Sequence, residues 1–223
     1  MIYWIMWFLV STAYFWAFPT KIIGKKYLKL IKKDSAILSY NHQTNNDAIL
    51  IKAKICPKAK MMAKHTLFNG KCKAWFFRTL GAYPVNREGN DISAVKTTLK
   101  YLKENNKVGI APEGTRVKEG ESVEFKNGVV MFALKTNCYI VPIVFRKTTK
   151  AFKFNTVIIG KPFRLSEIEE FKDKKADKEL LDRATEILTE KMNYLKNVKI
   201  KEYKKIIKDD FKKMKKSMKD TKK

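Results

Sequence analysis

Ser35-Ala36-Ile37-Leu38-Ser39-Tyr40-Asn41-His42-Gln43-Thr44-Asn45-Asn46-Asp47 is an apolar run that empties into a cluster of polar and ionisable side chains. A run of this length, ended by an Asn-rich turn, reads as a buried strand from about Ser35 to Asn41. His42, one of two histidines in 223 residues, follows it at once and stands five positions before Asp47. An imidazole hydrogen-bonded to a carboxylate has one nitrogen fixed as a donor, which leaves the other free to accept a proton from an alcohol. Five residues do not stack two side chains on one helix face as four would. The pair is therefore expected to straddle a loop and the start of the next helix.

Outward from this stretch, short apolar runs alternate with helical patterns. Further strands are expected at Lys60 to Lys64, Ala82 to Asn86, Val108 to Pro112, Tyr139 to Phe145 and Lys153 to Gly160. Helices are expected at Asn46 to Lys54, Lys71 to Leu80, Asp91 to Asn105, Gly128 to Asn137, and from about Asp177 onward. The fold class is α/β: a single domain with a mostly parallel or mixed central sheet flanked by helices, plus an N-terminal aromatic-rich membrane helix and a C-terminal basic helix. Expected divisions are a membrane-anchoring segment over 1–24, a catalytic domain over 25–190 and a Lys-rich amphipathic helix and tail over 191–223. Ligands of open α/β sheets bind beyond the carboxyl ends of the strands, so His42 is expected to project into that crevice.

Three other segments fall at comparable strand ends. Gly81-Ala82-Tyr83-Pro84-Val85-Asn86-Arg87 closes an apolar strand with a guanidinium, whose fork can hold two phosphate oxygens at once. Ala111-Pro112-Glu113-Gly114-Thr115-Arg116 gathers an acid, a flexible glycine, a hydroxyl and a second arginine, more functionality than a turn requires. Phe125-Lys126-Asn127-Gly128 precedes an apolar helix, and Val141-Pro142-Ile143-Val144 lies within a strand.

Residues 1–20, MIYWIMWFLVSTAYFWAFPT, carry no charged side chain. At about 1.5 Å per helical residue they reach roughly the thickness of a hydrocarbon core, yet eight of the first eighteen are Trp, Tyr or Phe, residues that favour the interface. A spanning helix and one lying in a single leaflet are both open. The first lysines, Lys21, Lys25 and Lys26, follow the apolar run, which places the domain on the cytoplasmic side of a cell membrane. Near the other end, Ile200, Tyr203, Ile207, Phe211, Met214 and Met218 share one helix face, with lysines on the others. From Lys196 onward there are 13 Lys against 4 acids, which suits an anionic membrane surface; a helix packed on the main domain and followed by a solvated tail is the other reading.

The formal net charge of +26 would attract any polyanion. A membrane-tethered nucleic-acid-binding protein is one reading, but the lysines are spread along the chain and no nucleic-acid module appears. The three cysteines, Cys56, Cys72 and Cys138, have no pairing spacing and read as reduced thiols. Two histidines and no Cys pair leave little from which to build a zinc site, so no metal is expected.

Asn41-His42-x4-Asp47, Gly81 to Arg87, Pro112-Glu113-Gly114-Thr115-Arg116 and Val141-Pro142, in this order, resemble the four sequence blocks of the 1-acylglycerol-3-phosphate acyltransferases. The N-terminal segment is similar to those of short bacterial members. Ala111 stands where members commonly have Phe, Val117 where Ser is frequent, and Asn45-Asn46 replaces a more apolar pair. The resemblance implies transfer of a fatty acyl group from acyl-CoA or acyl carrier protein, as co-substrate and without a cofactor, to the sn-2 hydroxyl of a lysophosphatidic acid. His42 and Asp47 would be the catalytic pair. Arg87 and Arg116 would hold the acceptor's phosphate, Glu113, Gly114 and Thr115 would shape the site, and Lys126 is a weaker phosphate ligand. The acceptor could instead be glycerol-3-phosphate or another lysophospholipid, or the chain could be a membrane scaffold without catalysis.

Overall fold

Seven strands form one sheet in the computed structural model, which describes residues 2–86, 91–118, 121, 123–172, 174 and 177–220. They are β1 (Thr20–Ile23), β2 (Ala36–Tyr40), β3 (Lys60–Lys64), β4 (Ala82–Val85), β5 (Lys107–Ile110), β6 (Tyr139–Phe145) and β7 (Asn155–Ile159). The spatial order is β1-β7-β6-β2-β5-β3-β4. From β6 to β4 every pairing is parallel, while β7 runs antiparallel to β6 and β1 lies parallel to β7. The sheet is therefore mixed. β2 is buried at all five positions, as an apolar run without polar alternation requires of a strand covered on both faces.

The helices are α1 (Ile2–Ala17), α2 (Asn46–Leu50), α3 (Lys71–Thr79), α4 (Ile92–Lys103), α5 (Gly128–Thr136), α6 (Lys178–Asn197) and α7 (Ile200–Asp220). Along the sheet, the β2–α2–β3 and β3–α3–β4 connections step one way and β4–α4–β5 and β5–α5–β6 step back. Right-handed crossovers then put α2 and α3 on one face and α4 and α5 on the other. Two core clusters reflect this division. Leu38 and Tyr40 pack with Leu50, Ile51, Ile143 and Phe145, and Ile37 packs with Val108, Val130, Ile140 and Leu188. Neighbouring β2 residues thus feed opposite cores, as the two-residue period dictates.

The expected elements are present, with three differences. β1 was not read from the sequence: four residues interrupted by Lys21 give little signal beside the long apolar block before them. The helix expected over Asn46 to Lys54 is regular only to Leu50 and widens into a π-helical turn over Ile51–Ile55. The buried Lys52 ammonium closes this turn by donating to the carbonyls of Pro57 at 2.8 Å and Ala59 at 2.6 Å, and burial lowers its pKa to about 8. The long helix expected from Asp177 is two. Asp177 caps α6 by accepting from the Leu180 N–H, and Val198 leaves helical geometry before α7 begins. The expected division at 24 follows β1, and the one at 190 falls inside α6.

α1 is 16 residues long, about 24 Å, and no described helix is long and apolar enough to cross a membrane. It is docked on the domain along one face. Tyr3 Oη donates to the Pro57 carbonyl, Trp7 Nε1 to that of Lys52 at 3.3 Å, and Tyr14 Oη to Asn46 Oδ1 at 2.9 Å. Ile2, Trp4, Ile5, Phe8, Leu9, Phe15 and Trp16 stay exposed.

The apolar stripe of α7 is turned inward. Tyr203 and Ile207 are buried, Tyr203 Oη donates to the Ile159 carbonyl at 2.9 Å, and Tyr27 Oη donates to Asp210 at 2.6 Å. Through Phe211 the face expected to meet a membrane is thus occupied by the domain, and lysines are what α7 presents outward. Replacing Tyr203 by Phe removes the bond to Ile159 and should lower the unfolding free energy by about 1 kcal/mol, read as a lower denaturation midpoint in urea with unchanged slope.

Candidate active site

The turn after β2 is fixed before any ionisable group enters it. Asn41 carries its side-chain amide to the backbone of Phe145, donating from Nδ2 to the carbonyl at 3.1 Å and accepting the N–H on Oδ1 at 2.7 Å. The amide continues the β2–β6 pairing one residue beyond the strand. His42 follows with both backbone groups held by the segment after β5: its N–H donates to Glu113 Oε2 at 2.8 Å, and its carbonyl accepts the Val117 N–H at 2.8 Å.

Asp47 lies in the first turn of α2 and is fully buried. Its Oδ2 accepts the N–H groups of Gln43 at 2.7 Å and Thr44 at 2.6 Å, and its Oδ1 accepts the hydroxyls of Thr44 at 3.1 Å and Thr149 at 2.8 Å. Four donors meet one carboxylate, which is what burial of an anionic group demands. His42 is 7% exposed and turns Nδ1 toward Asp47 Oδ2 at 3.4 Å. The Tyr40 ring stands edge-on to the imidazole at 5.9 Å between centres. With Nδ1 facing the acid, Nε2 is the nitrogen left for a proton-bearing ligand.

The structure brings His42, Asp47 and Glu113 together. The Glu113 carboxylate is buried and accepts the His42 backbone N–H on Oε2, which ties the segment after β5 to the loop after β2. Burial raises its pKa, and the His42 N–H bond opposes that rise. Gly114 has φ +66, and the Lys126 side chain crosses it, with Cε 3.0 Å from where a Cβ would stand. Only glycine combines that backbone with that close approach. Thr115 and Arg116 are exposed, and Arg116 immediately precedes the residue that pairs with His42. Arg87 lies outside the described residues. Val141 and Pro142 belong to β6 and are buried, and the Pro142 carbonyl accepts the Gly160 N–H.

Thr44, Thr149 and Asn155 were not anticipated. Thr149 comes 102 positions after Asp47, and Asn155 backs it by donating to its hydroxyl at 3.4 Å. A threonine four residues past the β6 carboxyl end was the one available clue, because that end borders the same crevice. Asn46, one of the departures from the family pattern, receives Tyr14 of α1.

Beside the pair, a cavity of about 110 Å³ is lined by Asn41, Gln43, Glu113, Thr189, Met192 and Lys196, among others. A larger groove of about 700 Å³ lies between β1 and α7, bordered by six lysines and no acid, and holds no base. Among the described residues, no group of three or more His, Cys, Asp or Glu side chains is gathered for a metal.

The site sets a histidine beside a buried carboxylate at the carboxyl edge of a crossover sheet, the edge at which open α/β sheets bind their ligands. Residues 20–146 match the family model described as Acyltransferase. The chain is 32% identical over 167 residues to the 1-acyl-sn-glycerol-3-phosphate acyltransferase of Bacillus subtilis, covering 72% of this chain and 81% of that one. It is 30% identical to the enzyme of the same name from Borreliella burgdorferi, covering 64% of this chain but 58% of that longer relative. The crystal structure of the 1-acyl-sn-glycerophosphate acyltransferase from Thermotoga maritima shares the fold, with a TM-score of 0.63, 20% identity, and 88% of this chain and 81% of that one covered. The chain belongs to the acyltransferase family, and it is an enzyme of acyl transfer.

Replacing Glu113 by Gln keeps an acceptor for the His42 N–H, whereas Ala removes it. A positioning role predicts kcat close to wild type for Glu113→Gln and at least about tenfold lower for Glu113→Ala, with acceptor KM unchanged in both. A raised acceptor KM in Glu113→Gln would return this side chain to substrate binding.

Proposed function

We propose that this enzyme transfers a fatty acyl group from acyl-CoA or acyl carrier protein to the sn-2 hydroxyl of 1-acyl-sn-glycerol-3-phosphate, giving phosphatidic acid, at the cytoplasmic face of a cell membrane. The observation that carries the reading is the clamped pair itself: an imidazole with Nδ1 directed at a fully buried carboxylate, within a chain that aligns with the two bacterial enzymes of that name.

The geometry supports a direct transfer. The acceptor hydroxyl gives its proton to His42 Nε2 while its oxygen attacks the thioester carbonyl. Asp47 holds the tautomer and stabilises the imidazolium that forms. The tetrahedral oxyanion collapses, the C–S bond breaks, and the imidazolium proton passes to the departing sulfur. Because the acceptor is itself the nucleophile, no acyl-enzyme is required. Arg116, exposed one residue from the His42–Val117 pairing, is suited to bind the acceptor's phosphate, with Arg87 and Lys126 as partners.

Membrane association is supported by α1, which exposes bulky apolar side chains along its outer face while Tyr3, Trp7 and Tyr14 tie the other face to the domain. A helix of this length, docked lengthwise, suits burial in one leaflet. The lysines that follow it support the cytoplasmic orientation.

His42→Ala should abolish transfer in lipid-reconstituted enzyme without unfolding the domain, and near-normal rates would remove His42 as the base. Arg116→Ala should chiefly raise the KM for a phosphorylated acceptor. Pairing each donor with lysophosphatidic acid, glycerol-3-phosphate and other lysophospholipids, with product mass as the readout, identifies the acceptor: phosphatidic acid is expected, and any other principal product would replace the proposed substrate.

A further inference from the structure

α3 packs on β4 and on the turn before it without burying any residue fully. None of its nine residues is buried, Trp75 is 54% exposed and Phe76 38%, and Leu67 in the turn just before it is 41% exposed. Ala74, Phe77 and Thr79 turn partly inward, and the Phe77 ring rests against Phe68 and Phe76. Lys71, Lys73 and Arg78 join the aromatics on the outer surface, and the helix contains no acid. An apolar surface rimmed by cations, on a helix that contributes little to either core, has no purpose in a free domain and marks a contact.

Its place in the fold selects the partner. The crossover directions put α3 on the same sheet face as α2. α1 is tied to α2 and its π-helical turn along that face, with Trp4, Phe8, Phe15 and Trp16 outward. The turn before α3, His65–Phe68, leaves the carboxyl end of β3, the end of the sheet at which His42 sits. Trp favours the level of lipid headgroups, and lysine and arginine are drawn to anionic leaflets.

Resting on the proposal that α1 lies in one leaflet, we propose that α3 with the turn before it is a second interfacial contact, so that the domain stands on an anionic bilayer through α1 and α3, with α2 between them. A single in-plane helix fixes depth but leaves the domain free to roll about the helix axis. A second foot beyond α2 removes that rotation and sets one angle between the membrane and the carboxyl edge of the sheet, where an acceptor must arrive from the lipid.

The four tryptophans are Trp4, Trp7, Trp16 and Trp75. With the first three replaced by Phe, Trp75 is the sole indole of the full-length enzyme, and vesicles of phosphatidylglycerol and phosphatidylcholine with brominated acyl chains report its depth. Quenching of Trp75 in protein that co-sediments with the vesicles is expected. In the otherwise native chain, Trp75→Ala with Phe76→Ala should weaken vesicle binding about tenfold or more, with the thermal transition retained. Co-sedimentation without quenching would overturn the α3 contact and leave the α1 reading standing; so would unquenched Trp75 in a concentration-dependent dimer, which would give this face to a second copy. Loss of co-sedimentation in the wild-type enzyme would overturn both.

Discussion

Asp47 is a carboxylate with no exposed surface, held by two backbone N–H groups and two hydroxyls. A buried anion is tolerated only where its lone pairs are met, and each donor here constrains a different part of the chain. Gln43 and Thr44 N–H fold the loop after β2 around the acid. Thr149 pins the segment after β6, with Asn155 of β7 behind it. Asn41 ties the same loop to Phe145, and Glu113 brings in the segment after β5. The carboxyl ends of three adjacent strands are thereby gathered around one carboxylate, and the backbone of His42 is held on both sides, with Nδ1 3.4 Å from Asp47 Oδ2.

The same constraint links the site to the surroundings of the enzyme. Asn46, next to Asp47, accepts from Tyr14 of α1, so the helix with the most exposed apolar surface is bonded to the residue beside the acid. The short α2 and its π-helical turn lie between, closed by the Lys52 ammonium. The catalytic loop is therefore registered to α1 by a polar bond and by packing of Tyr14 and Phe18 on the second core. Burial of the apolar side of α7 through Phe211 has the opposite consequence, since it leaves the lysines between Lys201 and Lys213 on the outer faces of the helix.

Much of the architecture is written in local pattern. β2, β3 and β6 appear where apolar runs are bounded by turn residues, and the starts of α4 and α6 are marked by Asp91 and Asp177, whose side chains cap them. His42 and Asp47 are legible because their spacing follows a strand end directly. What the sequence hides is set by long-range contact. Thr149 becomes a ligand of Asp47 only because β6 lies beside β2, and nothing local distinguishes it from Thr148. The polarity of Glu113 is visible in sequence, while the His42 backbone N–H that it accepts is not. β1 is too short to carry a period, and the inward side of α7 follows from the Tyr203 and Tyr27 bonds, not from its amphipathic spacing.

The central claim is that Asp47 fixes the neutral imidazole of His42 with its proton on Nδ1, leaving Nε2 as the base. The chain has only two histidines, so nitrogen-15 NMR of histidine-labelled enzyme, with a His65→Gln variant for assignment, reads the tautomer directly. In the neutral imidazole, a protonated Nδ1 and a bare Nε2 are predicted for His42, with the preference lost in Asp47→Ala. A His42 protonated at Nε2 in the native enzyme would contradict the account.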